Sequence, residues 1–340
     1  MKKNIVYILV LCLVGGLAYW FTKKDTGNTM GENPLSNFEI TDTASIQKIF
    51  IADLEGNNVT ISRSEEGYWK VNNKYRVREH SFDLILETFA GVGIQSTVPK
   101  AMRNTVLRNM AVTQRKVMIY GENDKLIKTW YLGNPTKTNQ GTYMILETPE
   151  EGLSTEPYIV EKRGFRGYLT NRFHTKVNEW RYKGVFIYPK MDIKKITVIR
   201  PKMPEKGFEL KVNNLLKNEL EMTNHEGDKV DVNPTAMQLY LLKFKELHLE
   251  TFDPPLLNHF QEDSVAARIP DFRITVTNTT GVTTKIDLQY KPTLANVRLE
   301  DPTAPEVDPD RMFGVFNGET IQVQRASFDP VLMPLEYFLE

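Results

Sequence analysis

One cysteine, Cys12, stands in the 340 residues, and none follows it. A disulfide within the chain is excluded, as are a cysteine-built zinc site and, for the body of the chain, a thiol nucleophile. A body without thiols suits an oxidising compartment, and the cytoplasm nearly as well, so it permits either. Histidine is scarce too: His80, His174, His225, His248 and His259 are the whole set, and no two stand at metal-ligand spacing. The Gly-x-Ser-x-Gly elbow of serine hydrolases and the Gly-x-x-x-x-Gly-Lys-Ser/Thr phosphate loop are both missing. Gly91-Val92-Gly93 lacks the third glycine of a dinucleotide-binding turn. The acid pairs Glu65-Glu66, Glu150-Glu151 and Glu262-Asp263 fall in polar turns, and Asp308-Pro309-Asp310 lacks the glycine and terminal glutamate of a calcium loop. The expectation is a protein that is no enzyme and holds no metal and no cofactor.

A net charge is missing as well. Forty-three Lys and Arg balance 43 Asp and Glu, whereas a general nucleic-acid binder carries a basic excess. The charge is unevenly spread: residues 99–183 hold fifteen basic and eight acidic residues, and residues 251–340 hold seven and fourteen. With 41% apolar and 25% charged residues, the length suffices for two folded domains.

What is present begins with an uncharged run, Ile5 to Phe21. It is near the minimum for a membrane-spanning helix. It ends in Ala18-Tyr19-Trp20-Phe21, which offers no small-residue cleavage site but suits a membrane interface. Leu11 before Cys12 is too large for a lipoprotein signal. The expectation is a signal anchor over residues 1–24, spanning the inner membrane once through residues 5–21, with the body in the periplasm. Lys2 and Lys3 on one side nearly balance Lys23 and Lys24 on the other, so charge orients it only weakly. Residues 25–37, polar and rich in turn formers, read as a tether.

The body reads as a pattern used twice. Ile46-Gln47-Lys48-Ile49-Phe50-Ile51 opens one copy and Ile193-Lys194-Lys195-Ile196-Thr197-Val198 the other. Each copy then offers a helix. Phe82, Ile85, Leu86 and Phe89 follow a Ser81 cap; Met237, Tyr240, Leu241 and Phe244 follow an Asn233 cap with Pro234 in the first turn. Each then gives a hairpin, the clearer one alternating Phe272, Ile274 and Val276 with polar residues before a turn at 278–281. The predicted class is α+β: an N-terminal transmembrane helix, then two duplicated subdomains over 38–189 and 190–340, each an antiparallel sheet with helices on one face.

The densest charged stretch, 162–183, mixes cations with aromatics. Arg166, Arg172, Trp180 and Arg181 are its candidate partner-binding residues, since Arg forks onto carboxylate or phosphate and Trp supplies a contact plate. The competing reading puts Trp180 and Phe173 in the core beneath arginine stems.

Residues 40–190 resemble the domain-of-unknown-function family DUF4340, envelope proteins of diderm bacteria. The resemblance is carried by Asp42-Thr43-Ala44-Ser45-Ile46, Gly67-Tyr68-Trp69-Lys70-Val71-Asn72, Val98-Pro99-Lys100-Ala101, Gly141-Thr142-Tyr143-Met144, Pro157-Tyr158-Ile159-Val160, Gly164-Phe165-Arg166-Gly167-Tyr168-Leu169, Arg172-Phe173 and Trp180-Arg181. It implies a membrane-anchored, periplasmic layout and no catalytic residues. Related domains accompany gliding-motility and ABC-type transport systems. The resemblance thus implies a non-catalytic accessory or scaffold protein of an envelope or transport-associated assembly, with a protein partner and no nucleic acid. The alternative is a periplasmic module binding a glycan or small anion in a groove between the repeats.

Overall fold

A computed structural model of the chain describes residues 34–254, 265–293, 295–301 and 303–339. It divides into two units, Met1–Tyr182 and Lys183–Glu340.

The first unit grows from β1 (Lys48–Ala52), where Ile49 and Ile51 are buried and their neighbours are not. Its hairpin partner β2 (Asn58–Arg63) is reached through a turn in which the Asp53 carboxylate accepts from the Glu55 and Asn57 amides, both at 3.0 Å. Next, β3 (Trp69–Val71) and β4 (Tyr75–Arg76) are joined through Asn72 and Asn73, whose φ values of +50° and +54° are left-handed. Asparagine tolerates that region. Helix α1 (Glu79–Gly91) buries Phe82, Ile85 and Phe89 and runs straight into β5 (Val92–Thr97). Helix α2 (Lys100–Thr113) follows, then β6 (Arg115–Tyr120), β7 (Leu126–Pro135), β8 (Thr142–Thr148), β9 (Gly152–Leu153) and β10 (Tyr158–Lys162). The sheet order is β4-β3-β2-β1-β6-β7-β8-β10-β5, with β9 paired to β8.

Strand alternation sorts this sheet's side chains onto two faces. Trp130, Leu132, Met144 and Leu146 join the α1 residues in the larger core. Tyr131, Tyr143 and Ile145 point the other way and pack with Val106 and Met110 of α2. The approach of α2 to β7 leaves no room at Gly133, where an added Cβ would lie 2.6 Å from Met110 Cγ. Gly133→Ala is expected to destabilise by about 1–3 kcal/mol through overpacking. Urea denaturation measures it, and an unchanged midpoint would contradict the close approach.

In the second unit β11 (Gly184–Ile187) pairs with β16 (Glu246–His248) as a two-stranded sheet. The large sheet takes β12 (Ile193–Ile199), β13 (Phe208–Asn214), β14 (Glu219–Asn224) and β15 (Lys229–Val230) before helix α3 (Pro234–Leu242). Asn233 caps α3, its side chain accepting from the Thr235 and Ala236 amides. The rest are β17 (Thr251–Phe252), β18 (Phe272–Asn278), β19 (Thr283–Pro292), α4 (Ala295–Glu300), β20 (Val307–Phe316), β21 (Glu319–Gln324) and α5 (Arg325–Phe328). The order is β15-β14-β13-β12-β18-β19-β20-β21-β17. Position by position this is the connectivity of the first sheet, with α3 in the place of α1.

Two expectations are corrected. The α+β class gives way to a mainly β fold of three antiparallel sheets, two of them large. Two- and three-residue strands such as β3, β4 and β15 extend the sheets, and runs that short leave no readable period. Helices also lie on both faces of the first sheet rather than on one, because α2 covers the face opposite α1. The transmembrane reading is corrected as well. No helix among the described residues is long and apolar enough to cross a membrane. The longest, α2, has 14 residues and carries Lys100, Arg103 and Arg108, against about 20 apolar residues for a span. The anchor expected at 1–24 lies outside the described residues. Of the segment read as a tether, residues 34–36 form a 3-10 turn, and the Asn37 carbonyl accepts from Lys128 Nζ at 2.6 Å.

Candidate functional site

The basic stretch after β10 is not a strand but two 3-10 turns, Thr170–Arg172 and Val177–Glu179. Arg115 on β6 holds the first, donating to the carbonyls of Thr170 at 2.6 Å and Phe173 at 2.9 Å. The four candidate partner-binding residues have different surroundings. Trp180 is fully buried, and its indole N–H donates to the His174 carbonyl at 2.9 Å. Arg172 is half-buried over the Phe165 ring at 4.2 Å and donates to Leu84 O and Thr88 Oγ1 of α1. Burial lowers its pKa from the ordinary guanidinium value, with the Glu87 charge opposing. Arg166 is exposed, with no hydrogen bond or ion pair among the described residues. Arg181 is 7% exposed, and its guanidinium lies 3.8 Å from the centre of the Tyr75 ring.

Arg181 connects the stretch to a part of the chain about a hundred residues earlier. Residues 180–182 run alongside the β4 edge: Arg78 N–H donates to Trp180 O at 2.8 Å, Val77 bridges Arg181, and Tyr182 N–H donates to Arg76 O at 2.8 Å. Around this edge, cations and rings interleave. Arg76 lies 4.9 Å from the Tyr182 ring centre and 5.4 Å from that of Tyr68. Lys74 sits 4.8 Å from Tyr75, Lys70 5.3 Å from Tyr68, and Arg63 5.1 Å from Trp69. Trp69 in turn stacks on buried Phe82 at 4.0 Å, which anchors the cluster to the core.

Two carboxylates temper the charge: Glu66 lies 2.8 Å from Lys70, and Glu79 pairs with Arg76. The Lys70 hydrogen bond, then one from Tyr68, holds Glu66 below the usual carboxylate range, and the same contact raises Lys70. Arg63 and Lys74 are exposed residues. Ring faces attract the cationic heads and hold them along the edge. The arrangement can present forked donors to carboxylates along a strand edge.

Comparison with protein-family models, with curated proteins and with solved structures finds no match. The site is therefore read from its own geometry. Sequence reading reached Arg181 and Trp180 and passed over Tyr75, Arg76 and Tyr182. The available signal was the alternation Trp69-Lys70 … Lys74-Tyr75-Arg76 on both sides of the Asn72-Asn73 turn. Among the described residues, no group of three or more His, Cys, Asp or Glu is placed to hold a metal ion.

Proposed function

We propose that the protein is a non-catalytic accessory or scaffold subunit of a cell-envelope or transport-associated assembly, working in the periplasm. Its first unit receives an acidic segment of a protein partner on the β3–β4 edge. The observation that carries this reading is the interleaving of Arg63, Lys70, Lys74, Arg76 and Arg181 with Tyr68, Trp69, Tyr75 and Tyr182 along one sheet edge. Aromatic and Arg side chains are the residues on which protein interfaces concentrate their binding energy. The resemblance over residues 40–190 supports the same reading, and the thiol-free body permits it.

Crosslinking in intact cells, read by mass spectrometry, tests it. The expected result is a recurrent partner crosslinked within 63–76, its contact residues rich in Asp and Glu. Arg63→Glu combined with Lys74→Glu should lower its recovery at least tenfold while changing folding stability by no more than about 1–2 kcal/mol. Undiminished recovery from the double variant would refute the assignment of this edge.

A further inference from the structure

The outer face of the second large sheet carries a half-open depression of about 470 Å³ across β12, β13 and β14. That size falls within the range of about 300–1,000 Å³ usual for small-molecule sites. Its floor is a direct cross-strand row, Thr197–Glu209–Thr223, since Thr197 and Thr223 are both register partners of Glu209. Gly207 at one rim has no side chain to fill the space, and an added Cβ there would meet Val198 O at 2.9 Å. Ile199 and Pro204 contribute apolar lining, and His225, in the turn after β14, lines the depression as well.

Around the depression the carboxylates of Glu209 and Glu226 balance the ammonium groups of Lys195 and Lys211. Glu209 Oε2 lies 3.1 Å from Lys195 Nζ and accepts from Thr197 Oγ1 at 3.2 Å, while Oε1 lies 3.4 Å from Lys211 Nζ. Burial raises the Glu209 pKa, but the Lys195 and Lys211 contacts outweigh it and hold the carboxylate ionised. An anion entering here meets Glu209, and a cation meets the two ammonium groups. Thr223 is different: its residue is 8% exposed, it lines the depression, and its hydroxyl makes no hydrogen bond among the described residues. That hydroxyl reaches solvent, and a ligand, or water, that can both give and take a hydrogen bond suits it.

We infer that this depression binds a neutral, hydroxyl-rich ligand of sugar size, one ring lying with its C–H face on Ile199 and its hydroxyls on Thr223, Glu209 and His225. Balanced charges favour neither an anion nor a cation, the Thr223 hydroxyl can serve as donor and acceptor, and the apolar residues fit the mixed faces of a pyranose. The site lies within the second unit and does not depend on the partner edge of the first, so either can fail alone.

Titration of the full chain with N-acetylglucosamine and maltose, followed on isoleucine methyl signals, tests this directly. Sodium phosphate and spermidine serve as charged comparisons. The expected result is saturable movement of the Ile199 methyl signal by one of the sugars and by neither charged compound. Thr223→Val, which keeps shape and removes the hydroxyl, should weaken the sugar at least fivefold. Glu209→Gln should weaken it as well and admit phosphate. No saturable shift with either sugar up to 50-fold above the protein concentration at millimolar protein, stronger movement by a charged compound, or undiminished affinity in a folded Thr223→Val variant would each overturn the inference.

Discussion

Trp180→Ala is expected to remove about 3–5 kcal/mol of folding stability, the usual loss for a buried tryptophan. The indole is fully buried, touches His174 edge-on at 5.7 Å between ring centres, and donates to the His174 carbonyl. Its loss leaves a cavity and removes the hydrogen bond to that carbonyl. The consequence extends to the candidate interface, because the backbone of 180–182 is what seats Arg181 over Tyr75 and Tyr182 against Arg76. Partner recovery should therefore fall with Trp180→Ala, through loss of the edge rather than of a contact. Arg166→Glu makes the contrast. That side chain is exposed and unbonded, so stability should stay within about 0.5 kcal/mol. Urea midpoints for the two variants separate a packing residue from a surface one, and equal midpoints would contradict the placement of Trp180.

Much of the strand pattern was legible because alternation is physical. Ile49 and Ile51, or Ile274 and Val276, must face one side of a pleated strand, and they do. Asn233 and Pro234 marked the start of α3 because a side-chain acceptor and a missing N–H both fit there. The Ser81 cap was not found: α1 begins at Glu79, and the Ser81 hydroxyl instead accepts from Arg78 Nε at 2.7 Å. Helix α2 was missed because its buried face is narrow, Val106 and Met110 among mostly polar neighbours. The candidate edge was half legible. Arg181 was reached through composition, but its ring partner Tyr75 is set by a bridge between residues far apart in sequence, and no local pattern encodes that pairing.

Asp308→Ala should be as damaging as the loss of Trp180, for an electrostatic reason. Asp308-Pro309-Asp310, too incomplete for a calcium loop, has another use. The Asp308 carboxylate lies 2.8 Å from Lys291 Nζ, and the Lys291 side chain is only 10% exposed. The same carboxylate accepts from the Asp310 and Arg311 amides at 2.9 and 3.1 Å. Removing it leaves a buried ammonium without its counter-ion, a loss of about 3–5 kcal/mol. Replacing both partners, Lys291→Met with Asp308→Leu, should recover most of that, because no unpaired charge remains. Burial raises the Asp308 pKa, but the bonds from Lys291 and the two amides outweigh it, so the folded value lies below the ordinary one. Its contribution is thus complete above the unfolded carboxylate value of about 3.9 and is lost as pH falls through the folded value. The gap between wild type and Asp308→Ala should accordingly be widest near neutrality and shrink below about pH 4. Urea denaturation at pH 7, 4 and 3 reads it, and a gap that stays constant across that range would show that the pair is not what stabilises this end of β20.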